Sequence, residues 1–178
     1  MPIISILTAA YAPTANFLDE TIKSVISQEL PTNWEVEWIV QEDGVNPKLR
    51  KKFENIEIVK YASNNAQLGV AATRNMALER VNGEIVQLLD HDDILLEGSL
   101  DIMINTLKDK TIHWVTGQAD DLVQENKRKP YEYPFKFGRI NAGEVFMNAT
   151  EESLAWPIHI AAMAVRTNLL RVVGGWSA

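Results

Sequence analysis

Residues 83–93 read Gly83-Glu84-Ile85-Val86-Gln87-Leu88-Leu89-Asp90-His91-Asp92-Asp93. The run from Glu84 to Leu89 is short and apolar and closes on a polar turn, which is the pattern of a buried strand. Three carboxylates then fall within four residues. They repel one another unless a cation or a hydrogen-bond network offsets the charge. Taken alone, the cluster reads equally as a solvated acidic turn whose last Asp caps the next helix. A hard divalent cation such as Mg²⁺ or Mn²⁺ is the other reading, since it takes one or two carboxylates and completes its shell with substrate phosphates. The position, directly after a strand, favours the cation.

Working back from this strand, a helix is expected from about Val70 to Val81, stopped by Asn82-Gly83. Before it come the polar loop Ser63 to Gly69, a strand from Ile56 to Tyr61, and a short helix opened by Asn46-Pro47 and running through Phe53. A strand over Val36 to Val40 stops at Glu42-Asp43-Gly44. An earlier helix, capped by Asn16, carries Leu18, Ile22, Val25 and Ile26 on one face and has ended by Pro31. The first strand, Ile3 to Leu7, runs into the turn-prone stretch Thr8 to Pro13. Downstream, Leu100, Met103, Ile104 and Leu107 mark another helix, and His113 to Thr116 a fifth strand.

Strands alternating with helices imply βαβ crossovers. The fold class is therefore α/β, with a mostly parallel sheet flanked by helices on both faces. In such sheets ligands bind beyond the carboxyl ends of the strands. Asp43 and the acids from Asp90 to Asp93 fall at those ends. Beyond Gly117 the alternation weakens. Asp120 to Gly138 reads as a long loop or hairpin, Ala142 to Asn148 as a short helix, Ile160 to Val165 as a strand, and Thr167 to Val172 as a last helix running into Gly174-Gly175. No internal repeat or low-complexity linker divides residues 1–178, so one domain is expected.

Composition narrows the function. The 178 residues carry 17 basic and 24 acidic side chains, a formal charge of −7, and no cysteine. A thiolate nucleophile, a disulfide framework and a Cys-ligated metal are excluded. A pI near 5.0 argues against nucleic acid as a partner. No apolar run approaches the roughly 20 residues that span a bilayer, so the expected location is the cytoplasm, free or at a membrane surface. There is no Gly-x-Gly-x-x-Gly after the first strand, no phosphate-loop motif and no Gly-x-Ser-x-Gly elbow. His91, His113 and His159 are too scattered for a zinc helix. His91 is expected at the border of the cation site.

Two further segments carry candidate chemistry. In Asn64 to Asn75, Gly69 permits close backbone approach at a helix entry, and Arg74, a turn in, presents a guanidinium suited to phosphate or carboxylate; an exposed Arg on an ordinary helix is the alternative. Asp43 suits a base N–H or a ribose hydroxyl, and Asp-Gly is also an ordinary turn.

Taken in order, five segments resemble a family 2 glycosyltransferase of the GT-A fold, a Rossmann-like α/β architecture. They are Ile4 to Tyr11, Ser24 to Gln28, Glu42-Asp43-Gly44, Asn65 to Asn75 and Gly83 to Asp93. The resemblance implies an enzyme that transfers a sugar from a nucleotide-diphosphate donor to a saccharide or other hydroxyl acceptor, inverting the anomeric carbon. A UDP-sugar is the preferred donor. It implies a nucleotide-sugar site built from Ala9, Tyr11, Asp43, Arg74, Asp90 and Asp92, with Mn²⁺ or Mg²⁺ on Asp92 and Asp93. Asp43 would contact the base, Arg74 would lie near the nucleotide, and the Asp-x-Asp pair Asp90 and Asp92 would lie against ribose and cation. Residues 1–117 would form the nucleotide-sugar half and residues 118–178 part of the acceptor half.

Three departures accompany the resemblance. Ala9-Ala10-Tyr11-Ala12 stands where the family often has Pro-Thr-Tyr-Asn, which removes a polar contact, and His91 stands where a small residue is common. The family's general base follows a stretch like Val173-Gly174-Gly175-Trp176, so it is expected beyond Ala178. Glu151 and Glu152 read as a solvated turn or helix start. Trp156 and Trp176 are candidates for stacking on an acceptor sugar or for core packing. A fragment that binds nucleotide-sugar without turnover is the second reading. A receiver-like signalling domain ranks last, because paired acids would be needed where Thr8-Ala9-Ala10 stands.

Overall fold

The computed structural model describes residues 1–124, 127–148 and 158–177. Its main sheet has six strands: β1 (Ile3–Tyr11), β2 (Glu35–Asp43), β3 (Val59–Ser63), β4 (Ile85–Leu88), β5 (Trp114–Thr116) and β8 (Met163–Arg166). Their spatial order is β3-β2-β1-β4-β8-β5. The first four run parallel, and β8 lies antiparallel between β4 and β5. A separate hairpin pairs β6 (Asp120–Gln124) with β7 (Lys127–Pro130). The expected mostly parallel α/β sheet is present.

Strand alternation sorts the apolar side chains onto two faces. On one, Ile4, Ile6, Trp38, Val40 and Ile85 pack against α1 (Leu18–Ile26), α2 (Arg50–Phe53) and α4 (Ser99–Leu107). Leu100, Met103, Ile104 and Leu107 of α4 are all buried there, as their spacing predicts. On the other, Leu7, Ile39, Val86 and Leu88 meet Ala77 and Leu78 of α3 (Val70–Glu79) and Leu170 of α6 (Thr167–Val172). The short helix α5 (Ala142–Met147) follows the hairpin.

Local signals and tertiary pairing disagree at several element ends. Thr8 to Tyr11, turn-prone by composition, continues β1 because those residues pair with Val40 to Asp43. The Thr8 hydroxyl also accepts the Trp38 indole N–H at 2.9 Å. Asn16 is not the cap of α1. Its N–H is taken by the Thr14 carbonyl, and the helix starts after Phe17 with Asp19 and Glu20 in its first turn, where the helix dipole favours acids. Ile26, expected on the apolar face, is exposed.

Asn46-Pro47 does not open α2 either. The buried Glu42 carboxylate accepts the N–H groups of Lys48 and Leu49 at 2.7 and 2.9 Å, so a strand side chain satisfies the helix entry, and α2 begins at Arg50. The third strand lies later than Ile56 to Tyr61 because the ladder with β2 starts at Trp38–Val59. Ile160 to Ala162 form a 3-10 turn, which shortens the expected strand to Met163–Arg166.

At the amino ends of the strands, Glu37 forms a brace. Its Oε1 accepts from Ser5 Oγ (2.5 Å) and from the N–H groups of Asn82 (2.6 Å) and Gly83 (3.2 Å). Its Oε2 accepts from Lys60 Nζ (2.5 Å) and Asn82 Nδ2 (3.0 Å). A Cβ on Gly83 would stand 2.5 Å from Ser5 Oγ, so the close approach admits glycine alone. Burial opposes ionisation of Glu37, but the bonds from Lys60, Ser5 and Asn82 outweigh it and hold its carboxyl down to about 2.

Candidate functional site

The acids singled out in the sequence sit at the carboxyl ends of β2 and β4, with β1 between those strands. Asp43, the last residue of β2, is buried and organises the loop into α3. Its Oδ1 accepts the Leu68 N–H (2.8 Å) and Asn64 Nδ2 (3.0 Å), and its Oδ2 accepts the Gly69 N–H (3.0 Å). Burial alone would raise its pKa; the donors from Leu68, Asn64 and Gly69 outweigh that and lower it. Asp43 thus remains ionised and supplies an acceptor at the α3 entry. Each carboxylate oxygen takes about two hydrogen bonds, so Oδ2 retains room for one more donor.

Asn64 is the residue the sequence reading passed over. Besides Asp43, its Nδ2 donates to the Thr73 hydroxyl at 2.8 Å, and its Oδ1 accepts Gln41 Nε2 at 2.7 Å. It ties the end of β2 to the first turns of α3. The only local signal was an Asn in a polar loop, and its three partners are 9 to 23 residues away.

Arg74, on α3, reaches Asp90 beyond β4, with Nη2 2.6 Å from Oδ1. The pair is mostly sheltered, the side chains being 12% and 27% exposed, so water screens it less than a surface ion pair. The Trp176 ring lies beside the same guanidinium, 5.9 Å from Cζ to the ring centroid, within cation–π range. Trp176 is therefore placed against the Arg74–Asp90 pair. Trp156, Glu151 and Glu152 lie outside the described residues.

Asp92 is exposed and Asp93 half-buried. Among the described residues no hydrogen bond reaches either carboxylate. Burial pushes the Asp93 carboxyl above the usual range; His159 works against this, while the charges of Asp90 and Asp92 add to it. Negative charge thus accumulates here beyond what the described residues neutralise. Among those residues no three His, Asp or Glu side chains gather as a ready cage for a metal ion. The donor set suits a hard cation that brings further oxygens with its ligand.

His91 does not stand open beside these acids. Its Nδ1 is 3.3 Å from the Ala9 carbonyl and its Nε2 is 2.9 Å from the Thr14 hydroxyl, so the ring is fastened to β1 and to the 3-10 turn Ala12–Thr14 that follows it. Its own carbonyl accepts the Thr21 hydroxyl of α1. Ala9 is buried with its carbonyl used in this way. Tyr11 is half-buried and opposite Asp43 in the β1–β2 register.

The chain matches the family model described as "Glycosyl transferase family 2" over residues 5–171. It is 26% identical over 176 residues to an uncharacterised glycosyltransferase of Haemophilus influenzae, covering 96% of this chain and 53% of that protein. Over 122 residues it is 27% identical to the Escherichia coli UDP-Glc:alpha-D-GlcNAc-diphosphoundecaprenol beta-1,3-glucosyltransferase WfgD, covering 66% and 46%. Among solved structures, S. aureus TarS aligns at TM-score 0.68 and 20% identity, over 100% of this chain and 50% of that one. The Pyrobaculum calidifontis mannosyltransferase PcManGT, in complex with GDP-Man and Mn²⁺, aligns at TM-score 0.66 and 17% identity, over 98% and 47%. These structural likenesses establish the GT-A fold. The chain spans about half the length of the relatives it matches.

Proposed function

The chain belongs to glycosyl transferase family 2, and from that premise we propose that it is the nucleotide-sugar-binding part of a metal-dependent, inverting glycosyltransferase with a UDP-sugar donor. The observation that carries the reading is the Arg74–Asp90 ion pair at the carboxyl end of β4, with Asp43 across β1 and, beside it, Asp92 and Asp93, to which no hydrogen bond runs among the described residues. A cation, a diphosphate and a nucleoside find complementary groups there in that order. WfgD is named for UDP-Glc, and TarS has been solved with UDP and with UDP-GlcNAc, which supports the uridine nucleotide.

Each residue has a physical task in this reading. Asp43, already ionised and rigid, accepts a base N–H through the remaining capacity of Oδ2. Asp90 orients Arg74, whose guanidinium faces the diphosphate; Asp90 also accepts from a ribose hydroxyl. Tyr11 and the Ala9 backbone close the β1 side. Asp92 and Asp93 would hold Mn²⁺ or Mg²⁺, which supplies Lewis-acid stabilisation of charge on the departing diphosphate. The acceptor is a hydroxyl, of a saccharide or another alcohol, and Trp156 and Trp176 are its candidate stacking residues.

A second reading is binding without transfer. It is favoured by the engagement of Asp43 and Asp90 in the pairings above and by the assignment of Asp92 and Asp93 to the cation. None of Asp43, Asp90, Asp92 and Asp93 is then left for a general base, which typically contributes about 10²–10⁴-fold to the rate.

The test is thermal unfolding with UDP in Mn²⁺ and in chelator. UDP at about 100 times its dissociation constant should stabilise the protein by about 2.7 kcal/mol, a rise of roughly 5–10 °C, in Mn²⁺ only. Equal shifts in chelator would remove the metal from the account, and equal shifts with GDP would remove the preference for uridine. Mass-spectrometric detection of sugar transfer or donor hydrolysis separates the two readings.

A further inference from the structure

We propose that Asn75 is a positioning residue of the nucleotide site, acting through Trp176 on Arg74; the proposal rests on the nucleotide-binding reading above. Asn75 Nδ2 donates to the Trp176 carbonyl at 2.7 Å, and the Trp176 N–H donates to Asn75 Oδ1 at 2.9 Å. One side-chain amide thus holds both backbone groups of a residue 101 positions away. Asn is a poor helix former, and its place inside α3, next to Arg74, is explained by this clamp rather than by propensity.

The turn is shaped to receive it. Gly175 has φ +72°, and a Cβ there would lie 2.2 Å from Asn75 Oδ1. A side chain at position 175 would therefore displace the amide. Val172 and Val173, which lead into the turn, are 84% and 62% exposed and give it little apolar packing. Arg171 fastens the end of α6 to the Val81 carbonyl at 2.8 Å, the Gly174 and Gly175 N–H groups donate to the Arg171 and Leu170 carbonyls, and the Trp176 ring packs partly against the core; Asn75 adds the hold on the Trp176 backbone itself.

The consequence is a chain of contacts: Asn75 fixes Trp176, the indole lies over Arg74, and Arg74 meets Asp90. An arginine held on two sides loses less rotamer freedom when it meets a phosphate than one that must be ordered first. Asn75 need not touch the nucleotide to set its affinity. A purely mechanical role, fastening the C-terminal turn to α3, would leave that affinity unchanged.

The experiment measures UDP affinity in Mn²⁺ by calorimetry, well below the melting temperature, for the wild type, Asn75→Ala, Gly175→Ala, Trp176→Ala and Asn75→Ala/Trp176→Ala. Near-UV circular dichroism checks the fold, and hydrogen exchange at the Trp176 amide reports the clamp without any ligand. Asn75→Ala and Gly175→Ala should each lose Trp176 amide protection and weaken UDP about tenfold, within the range a sheltered cation–π contact spans. The double variant should bind no more weakly than Trp176→Ala, because Asn75 acts through Trp176. Lost protection with unchanged UDP affinity, or additive losses in the double variant, would overturn the proposal. A wild type with a protected Trp176 amide that binds no UDP would instead overturn the nucleotide reading beneath it.

Discussion

Glu37 and Asp92 are carboxylates at opposite ends of the same sheet, and their surroundings are opposites too. At the amino ends of the strands, five hydrogen bonds from Ser5, Lys60, Asn82 and Gly83 converge on Glu37, which is 5% exposed. At the carboxyl ends, Asp92 is exposed and Asp93 is pushed towards its protonated form by burial and by like charge nearby. A buried acid with its acceptor sites filled stabilises the fold it sits in. Acids such as Asp92 and Asp93, which among the described residues receive no donor, weaken it, and persist where something outside the chain completes them.

The contrast is sharpest at Glu37 itself. Glu37→Ala should cost about 2–4 kcal/mol, because the Asn82 and Gly83 amides lose their acceptor, while Lys60, whose side chain is 51% exposed, turns to water and adds little. That corresponds to a fall in melting temperature on the order of 10 °C. A loss under about 1 kcal/mol in urea unfolding would show that the brace is not a fastening, and would break the contrast.

Next in size is an acid transition. The Glu37 carboxyl is lowered from 4.5 to about 2 in the folded state. Its contribution is therefore fully present above pH 4.5 and lost as pH falls from there to about 2. The loss should amount to about 3 kcal/mol. Asp43, lowered from 3.8, adds a contribution of the same sign that disappears below that value. Urea unfolding across this pH range should lose this component in Glu37→Gln, and an unchanged pH dependence would refute the assignment.

Asp43 stands between the extremes, bonded like Glu37 but placed like Asp92. Asp43→Ala should cost about 1–3 kcal/mol through the stranded Leu68 and Gly69 amides, and should also weaken UDP binding. Loss of stability with unchanged UDP affinity would move Asp43 from the ligand site to the scaffold.

The division between what the sequence discloses and what it hides follows the range of the interactions. The α4 stripe, the helix Thr167–Val172 and the strand before Asp90 are written in local periodicity and turn residues, and the structure has them. So are the positions of Asp43 and Asp90, because strand ends fix where such side chains emerge, and of Arg74, a turn into the helix that follows Gly69. The lengthening of β1 to Tyr11 and the entry to α2 were hidden, since each depends on pairing with a distant strand or on the side chain of Glu42. Glu37 with Asn82, 45 residues apart, and Asn75 with Trp176, 101 apart, leave no local pattern at all.

The account depends most directly on the cation. Calorimetric titration of UDP into wild type and Asp92→Asn, in Mn²⁺, compares the donor-poor end of the sheet with and without one of its charges. Losing a hydrogen-bond partner of a metal ligand typically costs about 10–100-fold in metal affinity, so loss of a ligand itself should weaken Mn²⁺-dependent UDP binding by at least about 100-fold. The melting temperature of the unliganded protein should stay the same or rise. Undiminished UDP affinity, or a melting temperature that falls as it does for Glu37→Ala, would contradict the account.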